Sequence, residues 1–481
     1  MNTDSLQAPP IISVIVATHN RRALLQRTLD ALCVQTYPLQ RVEIIVVADG
    51  CDDGTSTMLH HYRAPCMLHI IEQPRQGVAS ARNRGAAQAS GLLLLFLDDD
   101  VEPTPTLIEA HIEAHQQKPG RVVLGLYPPA RQRPQNFFQI QLQAWWDHKF
   151  GTLCAPGHRF TYKELLGGNL SLESALFTKL GGFDHTIRNC GGEDYELGVR
   201  LIKSNVDFTV ATDAIGYHHI HETTDLDRML QRARQEGQID VVMGQQYPEL
   251  RFELPLAHYI SYRFIPKVVV RTFVFMCPLA GNWLATCLRR VLAPLEYVRL
   301  YHYWQLLYRF LHGYWYWRGV ADRIDSDQAL VQFLQEAHAH IDEASLLEID
   351  LRCGLEDAER RLDETRPMAA RIRYGEQSVG LIPSQPGAER LRGVHLRPML
   401  AHVLTLPLLK ALVRAGVIAS SEHISAHELF ESITSKSNWF GPTDIHTMWY
   451  EQYEQWNQCE RRNASQPTTY RGQRNAAVEE T

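Results

Sequence analysis

The sequence predicts an α/β fold: a mostly parallel central sheet, then a largely helical region, then a small α+β module. Three observations carry this. Apolar or β-branched runs at Ile11–Ala17, Val42–Val47 and Leu92–Leu97 alternate with stretches of helical length, the pattern of βαβ units with right-handed crossovers. Each of those runs ends in polar residues. After about Tyr259 the composition turns aromatic and basic. The length of 481 residues allows two or three domains.

Ile11–Ala17, IISVIVA, reads as a buried strand. Thr18, His19 and Asn20 form a polar turn that can cap the next helix, expected from Arg22 to Gln35 with Leu24, Leu25, Leu29 and Leu32 on one face. Val42–Val47 is the second strand and runs into ADGCDDGT, where Asp49 leads a Gly-rich turn. Leu68–Ile71 is a third, edge-like strand. Gly77–Ser90 is a small-residue helix carrying Arg82, Asn83 and Arg84.

Leu92–Val101, LLLLFLDDDV, is the stretch around which the rest is organised. Its apolar part reads as a parallel strand buried on both faces. Asp98, Asp99 and Asp100 cannot share that burial unpaired. They belong at the strand's carboxyl end, where open α/β sheets bind ligands. Alternation along an extended chain turns Asp98 and Asp100 to one side and Asp99 to the other. Two convergent carboxylates call for a hard divalent cation, Mg²⁺ or Mn²⁺. The plainer alternative is a solvated acidic turn capping the helix expected over Leu107–His115. Thr18–Asn20, Asp49 and Asp98–Asp100 thus share one rim, which suits a nucleotide. There is no GxGxxG after the first strand and no GxxxxGK(S/T). Phosphate charge must then be met by a metal and by a base such as Arg82.

Around Pro128–Pro134 the chain reads as a loop, and Phe137–Trp146, which includes Trp145, as an irregular stretch beside the cleft. Gly167, Gly168 and Asn169 suggest close backbone approach to a ligand. Glu193 and Asp194 open a helix with Leu197, Leu201 and Ile202 facing inward. Their position favours the helix dipole, so capping alone is the plain alternative. As a chemical pair they suit proton abstraction from a hydroxyl, because a like-charged neighbour raises a carboxylate's pKa. In AIGYHHIHE, alternation places His219 and His221 on one side and His218 on the other.

SVIVATHNR, VVADGCDDGT, GVASARNRG and FLDDDV, followed by GGNLSL, GGFD and GGEDYELGVRL, resemble the family 2 glycosyltransferases, the inverting GT-A enzymes, over about residues 10–225. The resemblance implies a GT-A catalytic domain over 1–250, with a nucleotide half over about 10–130 and an acceptor half over about 131–250. It implies a nucleotide-sugar donor, most often a UDP-sugar, and a saccharide or lipid-linked acceptor. Thr18, Asn20, Asp49, Arg82, Asp98 and Asp99 would contact the nucleotide-sugar. Asp100, with His219 the preferred histidine, would hold Mn²⁺ or Mg²⁺. Asp194 would be the catalytic base, with Glu193 beside it. Gly168, Asn169 and Trp145 would line the acceptor cleft. His19 stands where the family usually has Tyr or Phe, and Ala48 where it often has the first of two Asp residues. A sugar-nucleotide nucleotidyltransferase is the rival enzyme reading; it calls for a GxGxRL-type loop where ATHNRR stands. An inactive sugar-binding or scaffold subunit is the non-enzyme rival, and retention of both acidic pairs argues against it.

Residues 251–324 form a basic, aromatic-rich helical region broken by Pro266, Pro278 and Pro294. Its longest uncharged piece, Thr272–Leu288, is too short and interrupted to span a bilayer. Basic helices with Trp283, Trp304, Trp315 and Trp317 suit either a membrane surface, contacted through 259–323, or packing on the catalytic core. Residues 325–460 read as a module: helices over Asp325–Glu364, a β-hairpin over Met368–Ser384 about Gly375, and an apolar helix over His395–Gly416 interrupted near Pro407. Residues 461–481 read as a disordered tail. The net charge of -6 gives no support to nucleic-acid binding. Nine scattered cysteines without a CxxC pair, and an amino terminus without signal-peptide features, point to the cytoplasm, with peripheral contact on the cytoplasmic face of the membrane.

Overall fold

The computed structural model describes residues 12–130, 134–187, 191–260, 267–335 and 346–417. The end of the expected module and the expected tail lie outside them. Three runs become parallel strands because both of their faces are apolar. β1 (Ile12–Thr18) pairs in parallel with β2 (Val42–Asp49) and with β4 (Leu93–Leu97), and β3 (Met67–Gln73) edges β2 as expected. The crossovers are α1 (Arg22–Leu32), α2 (Thr55–His61) and α3 (Val78–Gln88). β4 is buried along its whole length, and the chain leaves it directly into the three aspartates.

The second half completes an eight-stranded sheet of order β3-β2-β1-β4-β7-β6-β8-β5. β5 is Val101–Pro103, α4 is Leu107–Gln117 and β6 is Val122–Leu126. Phe137–Leu153 forms α5, a regular helix where the sequence reads as irregular. Its polar residues, Gln139, Gln141, Gln143, Asp147, His148 and Lys149, fall on every side among the apolar ones, so no helical stripe marks it. β7 (Asn169–Glu173) enters between β4 and β6, antiparallel to both. A short α6 (Ser174–Lys179) follows, then α7 (Glu193–Lys203), β8 (Phe208–His218), α8 (Ile220–Thr223) and α9 (Leu226–Gln246). β8 runs parallel to β6, and β5 is antiparallel to β8.

The helical region contains a short α10 (Lys267–Val269) that continues as a π-helical turn, Val270–Met276, then α11 (Pro278–Tyr297), α12 (Tyr301–Ala321) and α13 (Asp327–Gln335). α9 and α12 cross backbone to backbone. A Cβ on Gly237 would overlap the Tyr316 carbonyl, and one on Gly319 the Arg234 carbonyl.

In the module, Leu346–Asp350 is a strand, β9, where helix was expected. It pairs in parallel with β10 (Ala369–Tyr374), which forms the expected hairpin with β11 (Gln377–Ile382). Its apolar run is too short to separate helix from strand without its partner. α14 (Leu355–Thr365) lies between β9 and β10. The expected apolar helix splits into α15 (Gly393–His402) and α16 (Thr405–Arg414), bent by 83°. The break falls before Pro407 because a proline ring clashes with the carbonyl four residues back. Among the described residues no single helix is long and apolar enough to cross a membrane. The module is not a loose appendage. Buried Arg159 donates to the carbonyls of Glu389 (2.6 Å) and Met368 (3.1 Å), and Arg366 pairs with Asp207 at 2.5 Å.

Candidate active site

The three aspartates leave β4 in a turn, with Val101 N–H donating to the Asp98 carbonyl at 3.2 Å. Strand alternation therefore does not apply, and the expected convergence of Asp98 with Asp100 is corrected. Asp99 and Asp100 converge instead on one atom, Arg21 Nη1, at 2.8 and 3.0 Å. Asp98 turns to Arg82, whose Nη2 donates to its Oδ1 at 2.7 Å.

Arg82 Nη1 donates to Glu193 Oε1 at 2.9 Å, and the guanidinium lies 5.4 Å from the Phe183 ring centre. Arg82 is thus buried between two carboxylates and ties the β4 end to the start of α7. It does not project as a free phosphate ligand. Two glycines make room. A Cβ on Gly167 would lie 2.7 Å from Arg82 Nη1, and one on Gly168 2.7 Å from Asp98 Oδ2. Gly168 also accepts the Asp98 N–H at 3.1 Å.

Among the described residues, Asp194 sits beside this bridge without a direct cationic partner. Its Oδ2 accepts the Gly167 N–H at 3.3 Å and its Oδ1 accepts the Tyr195 N–H at 2.9 Å. Burial and then the Glu193 charge push its pKa well above the usual carboxylate range, against the pull of Arg82. Buried Tyr127, past the end of β6, lies within electrostatic reach of Asp98 and Asp194; burial, then Asp98, raises its hydroxyl pKa. Its ring centre is 5.1 Å from Trp146 and 5.5 Å from His218. Lys149 of α5 also reaches Asp194 electrostatically; burial lowers its pKa, and its Nζ donates to the Lys163 carbonyl at 2.9 Å.

Asp100 carries a second set of partners. His218 Nε2 lies 3.4 Å from Oδ1, and Thr223 Oγ1 donates to Oδ2 at 3.2 Å. Burial alone would raise the Asp100 pKa, but His218, Arg21 and Thr223 outweigh it and hold the group below the usual range. Asp99 is raised: burial and the neighbouring Asp100 outweigh Arg21.

His219 faces away from the Asp100 carboxylate, although its N–H donates to the Asp100 carbonyl at 2.8 Å. Its Nε2 lies 2.8 Å from Glu102 Oε2. His219, His221 and Glu222 form a set of possible metal ligands within 4.8 Å of one another. His219 Nδ1 and His221 Nε2 lie 3.6 and 3.7 Å from Glu222 Oε1. Both nitrogens are buried without a hydrogen-bond partner. Alternation does not bring the two histidines together, because the chain turns into α8 after His219; the helical turn does.

The remaining expected residues divide. Thr18 is buried at the β1 end. Asn20, at φ 53°, exchanges two hydrogen bonds with Asp52, at 2.6 and 2.9 Å. Asp49 accepts from Gln73 Nε2 and from the Gln76 and Gly77 N–H groups, each at 2.8 Å, so it clamps the loop leading into α3. Asn169 is corrected from a cleft residue to a core one. It is fully buried, donates to the Leu126 and Ala214 carbonyls, and lies 2.8 Å from His111 Nε2, thereby joining β6, β7 and β8. Trp145 is exposed, while its neighbour Trp146 turns toward Tyr127 and His218. Sequence reasoning missed Arg21, Tyr127, Trp146 and Lys149. Arg21 had a signal, since it ends the polar turn after β1; Lys149 lay within an unrecognised helix.

Residues 13–167 match glycosyl transferase family 2. The amino-terminal part of the chain belongs to this family. Its α/β core is the GT-A fold expected from the sequence. Residues 149–223 also match the family described as the N-terminal domain of galactosyltransferase. A validoxylamine A glucosyltransferase from Streptomyces hygroscopicus subsp. jinggangensis is 34% identical over 239 residues, covering 45% of this chain and 57% of that protein. The chain therefore spans little more than half the length of that relative. Glycosyltransferase AglE from Haloferax volcanii is 29% identical over 268 residues, covering 54% of this chain and 82% of AglE. A solved mannosyltransferase from Pyrobaculum calidifontis aligns with a TM-score of 0.41 at 20% identity, covering 66% of this chain and 89% of that one.

Proposed function

We propose that the protein is an inverting glycosyltransferase. It moves a sugar from a nucleoside diphosphate-sugar, with UDP the base favoured by family resemblance, to a hydroxyl of a saccharide or lipid-linked acceptor. The observation that carries this reading is Asp194. It is an acid with a raised pKa and, among the described residues, no direct cationic partner, held by the Gly167 and Tyr195 N–H groups beside the Arg82 bridge. A carboxylate poised this way can take the acceptor's proton as the new C–O bond forms. Glu193 is paired to Arg82 and raises Asp194 rather than acting itself. The glycosyl bond to the diphosphate breaks on the opposite face of the sugar, so one displacement inverts the anomeric carbon.

A divalent cation fits the donor chemistry of the histidine segment. The unpartnered nitrogens of His219 and His221, with Glu222, would offer two imidazoles and one carboxylate, a set that suits Mn²⁺ better than Mg²⁺, which takes oxygen ligands. When bound, the ion neutralises charge developing on the leaving diphosphate. Asp98 is turned toward the reacting side by Arg82 and the Gly168 carbonyl, and Asp99 is held by Arg21. Thr18, Asn20 and Asp49 shape the nucleotide end of the rim, with Asp49 acting through the loop it clamps. Trp145 and Gly168 border the acceptor side.

Thermal-shift titration with UDP-, GDP-, dTDP- and CMP-sugars, with and without Mn²⁺, tests this reading. One nucleotide should raise the melting temperature in a dose- and metal-dependent way. A folded protein that none of them stabilises would overturn it and favour the scaffold reading.

A further inference from the structure

α11 is inside out for a helix in contact with water. Gly281, Ala285 and Leu292 make its buried face. Its outward stripe carries Leu279, Trp283 and Tyr297, exposed by 84%, 70% and 89%, with exposed Arg290 between them. Successive spacings of four, seven and seven residues place these four on one side of the helix. The apolar surface continues at both ends, through Met276 before the helix and Tyr303 after it, 67% and 60% exposed. A patch this continuous marks an interaction surface rather than scattered apolar exposure.

Charge identifies the occupant. Between Pro255 and Ala321 the sequence holds eight Lys or Arg residues and a single acid, Glu296; Asp327, Asp227 and Asp322 from outside the stretch pair with Arg271, Arg289 and Arg318, which still leaves a basic excess, with Arg290 on the stripe itself. Glu296 is occupied in the interior, where its Oε1 accepts the Phe137 N–H at 2.5 Å. A second copy of this chain would set basic face against basic face. A lipid surface bearing anionic headgroups matches both properties at once: Trp and Tyr suit the interfacial layer, Leu and Met the acyl boundary, and arginine the phosphates.

We infer that the face formed by Met276, α11 and the start of α12 seats the enzyme on an anionic membrane surface. The inference rests on this surface alone and not on the proposed donor chemistry. It deepens that proposal by favouring a lipid-linked acceptor, presented in the plane on which the protein sits.

Flotation of the full chain with phosphatidylcholine vesicles, and with vesicles that also contain phosphatidylglycerol, tests it. The chain should float with the anionic vesicles and dissociate at high salt. The double variant Leu279→Ser/Trp283→Ser should weaken binding by about tenfold or more, and Arg290→Glu by a smaller factor. Both variants change exposed side chains, so circular dichroism and donor-induced thermal shift should match the parent. No flotation with anionic vesicles, equal binding to phosphatidylcholine alone, or undiminished binding by the double variant would each overturn the inference. A dimer that the double variant splits, without vesicle binding by either form, would overturn it in favour of a second copy. Donor binding read in the same samples separates failure of this inference from failure of the catalytic one.

Discussion

Asp99–Asp100 and Glu193–Asp194 are the same feature in sequence, two adjacent acids at the start of a turn or helix. They differ in how the fold supplies cations. Arg21 reaches both members of the first pair, and His218 adds to Asp100, which is held ionised. Arg82 directly reaches only Glu193 of the second pair and uses its other nitrogen on Asp98. Asp194 is left to accept backbone N–H groups, and its pKa rises. The lesson is that one arginine contact does not by itself keep a buried acid ionised: Asp99 stays raised beside Arg21, Asp100 is lowered where His218 and Thr223 join Arg21, and Asp194, which no arginine touches among the described residues, is raised.

That contrast can be broken most decisively at Asp194. Asp194→Asn should lower the transfer rate by roughly 10²- to 10⁴-fold, the usual worth of a positioned base, while donor binding by thermal shift is retained. Survival of transfer would remove Asp194 from the base role. Next in size is the bridge itself. Arg82→Met leaves Glu193 buried without its cation and Asp98 half-exposed without its own. It should lower stability by about 3 kcal/mol in urea unfolding, the low end for breaking a buried ion pair. The matching change at the other pair, Arg21→Met, should cost less than Arg82→Met, because Arg21 is 39% exposed, Asp100 keeps His218, and Asp99, left buried, has a raised pKa and can take up a proton. Equal losses at the two arginines would erase the distinction.

The smallest effect sharpens the comparison through pH. Asp194 must be deprotonated to act, so transfer should rise with pH, with its acid limb above the ordinary carboxylate value of about 4. Stability should move the other way for this group. Between the unfolded pKa and the raised folded pKa the native state binds more protons, so the Asp194 contribution falls as pH rises through that window. Urea midpoints of the parent against Asp194→Asn across that range should show the difference closing toward acid.

Much of the site is legible in the sequence. Buried parallel strands leave no option but to place Asp98–Asp100 at a sheet rim, and Glu193–Asp194 announced themselves at a helix start. The helix Arg22–Leu32 and the hairpin about Gly375 followed from local pattern. Asn169 misled because a glycine-flanked amide looks the same whether it meets a ligand or, as here, carbonyls of two other strands. The α5 residues misled because polar and apolar side chains are mixed around the helix and leave no face to read, and β9 because a short apolar run takes its identity from the strand it pairs with.

By itself the sequence determined the alternation of strands and helices, the acidic residues at two element ends and the basic, aromatic character of the region after Tyr259. These depend on neighbours within a few residues, and local pattern suffices for them. Tertiary structure alone decided that Arg82 spans Asp98 and Glu193 across 16 and 111 positions, that Arg21 gathers Asp99 and Asp100, and that α11 turns its tryptophan outward. Those outcomes depend on which charges and faces meet after distant segments pack. A carboxylate's proton affinity, or a helix's exposure, is set by that meeting and not by the residue's own identity.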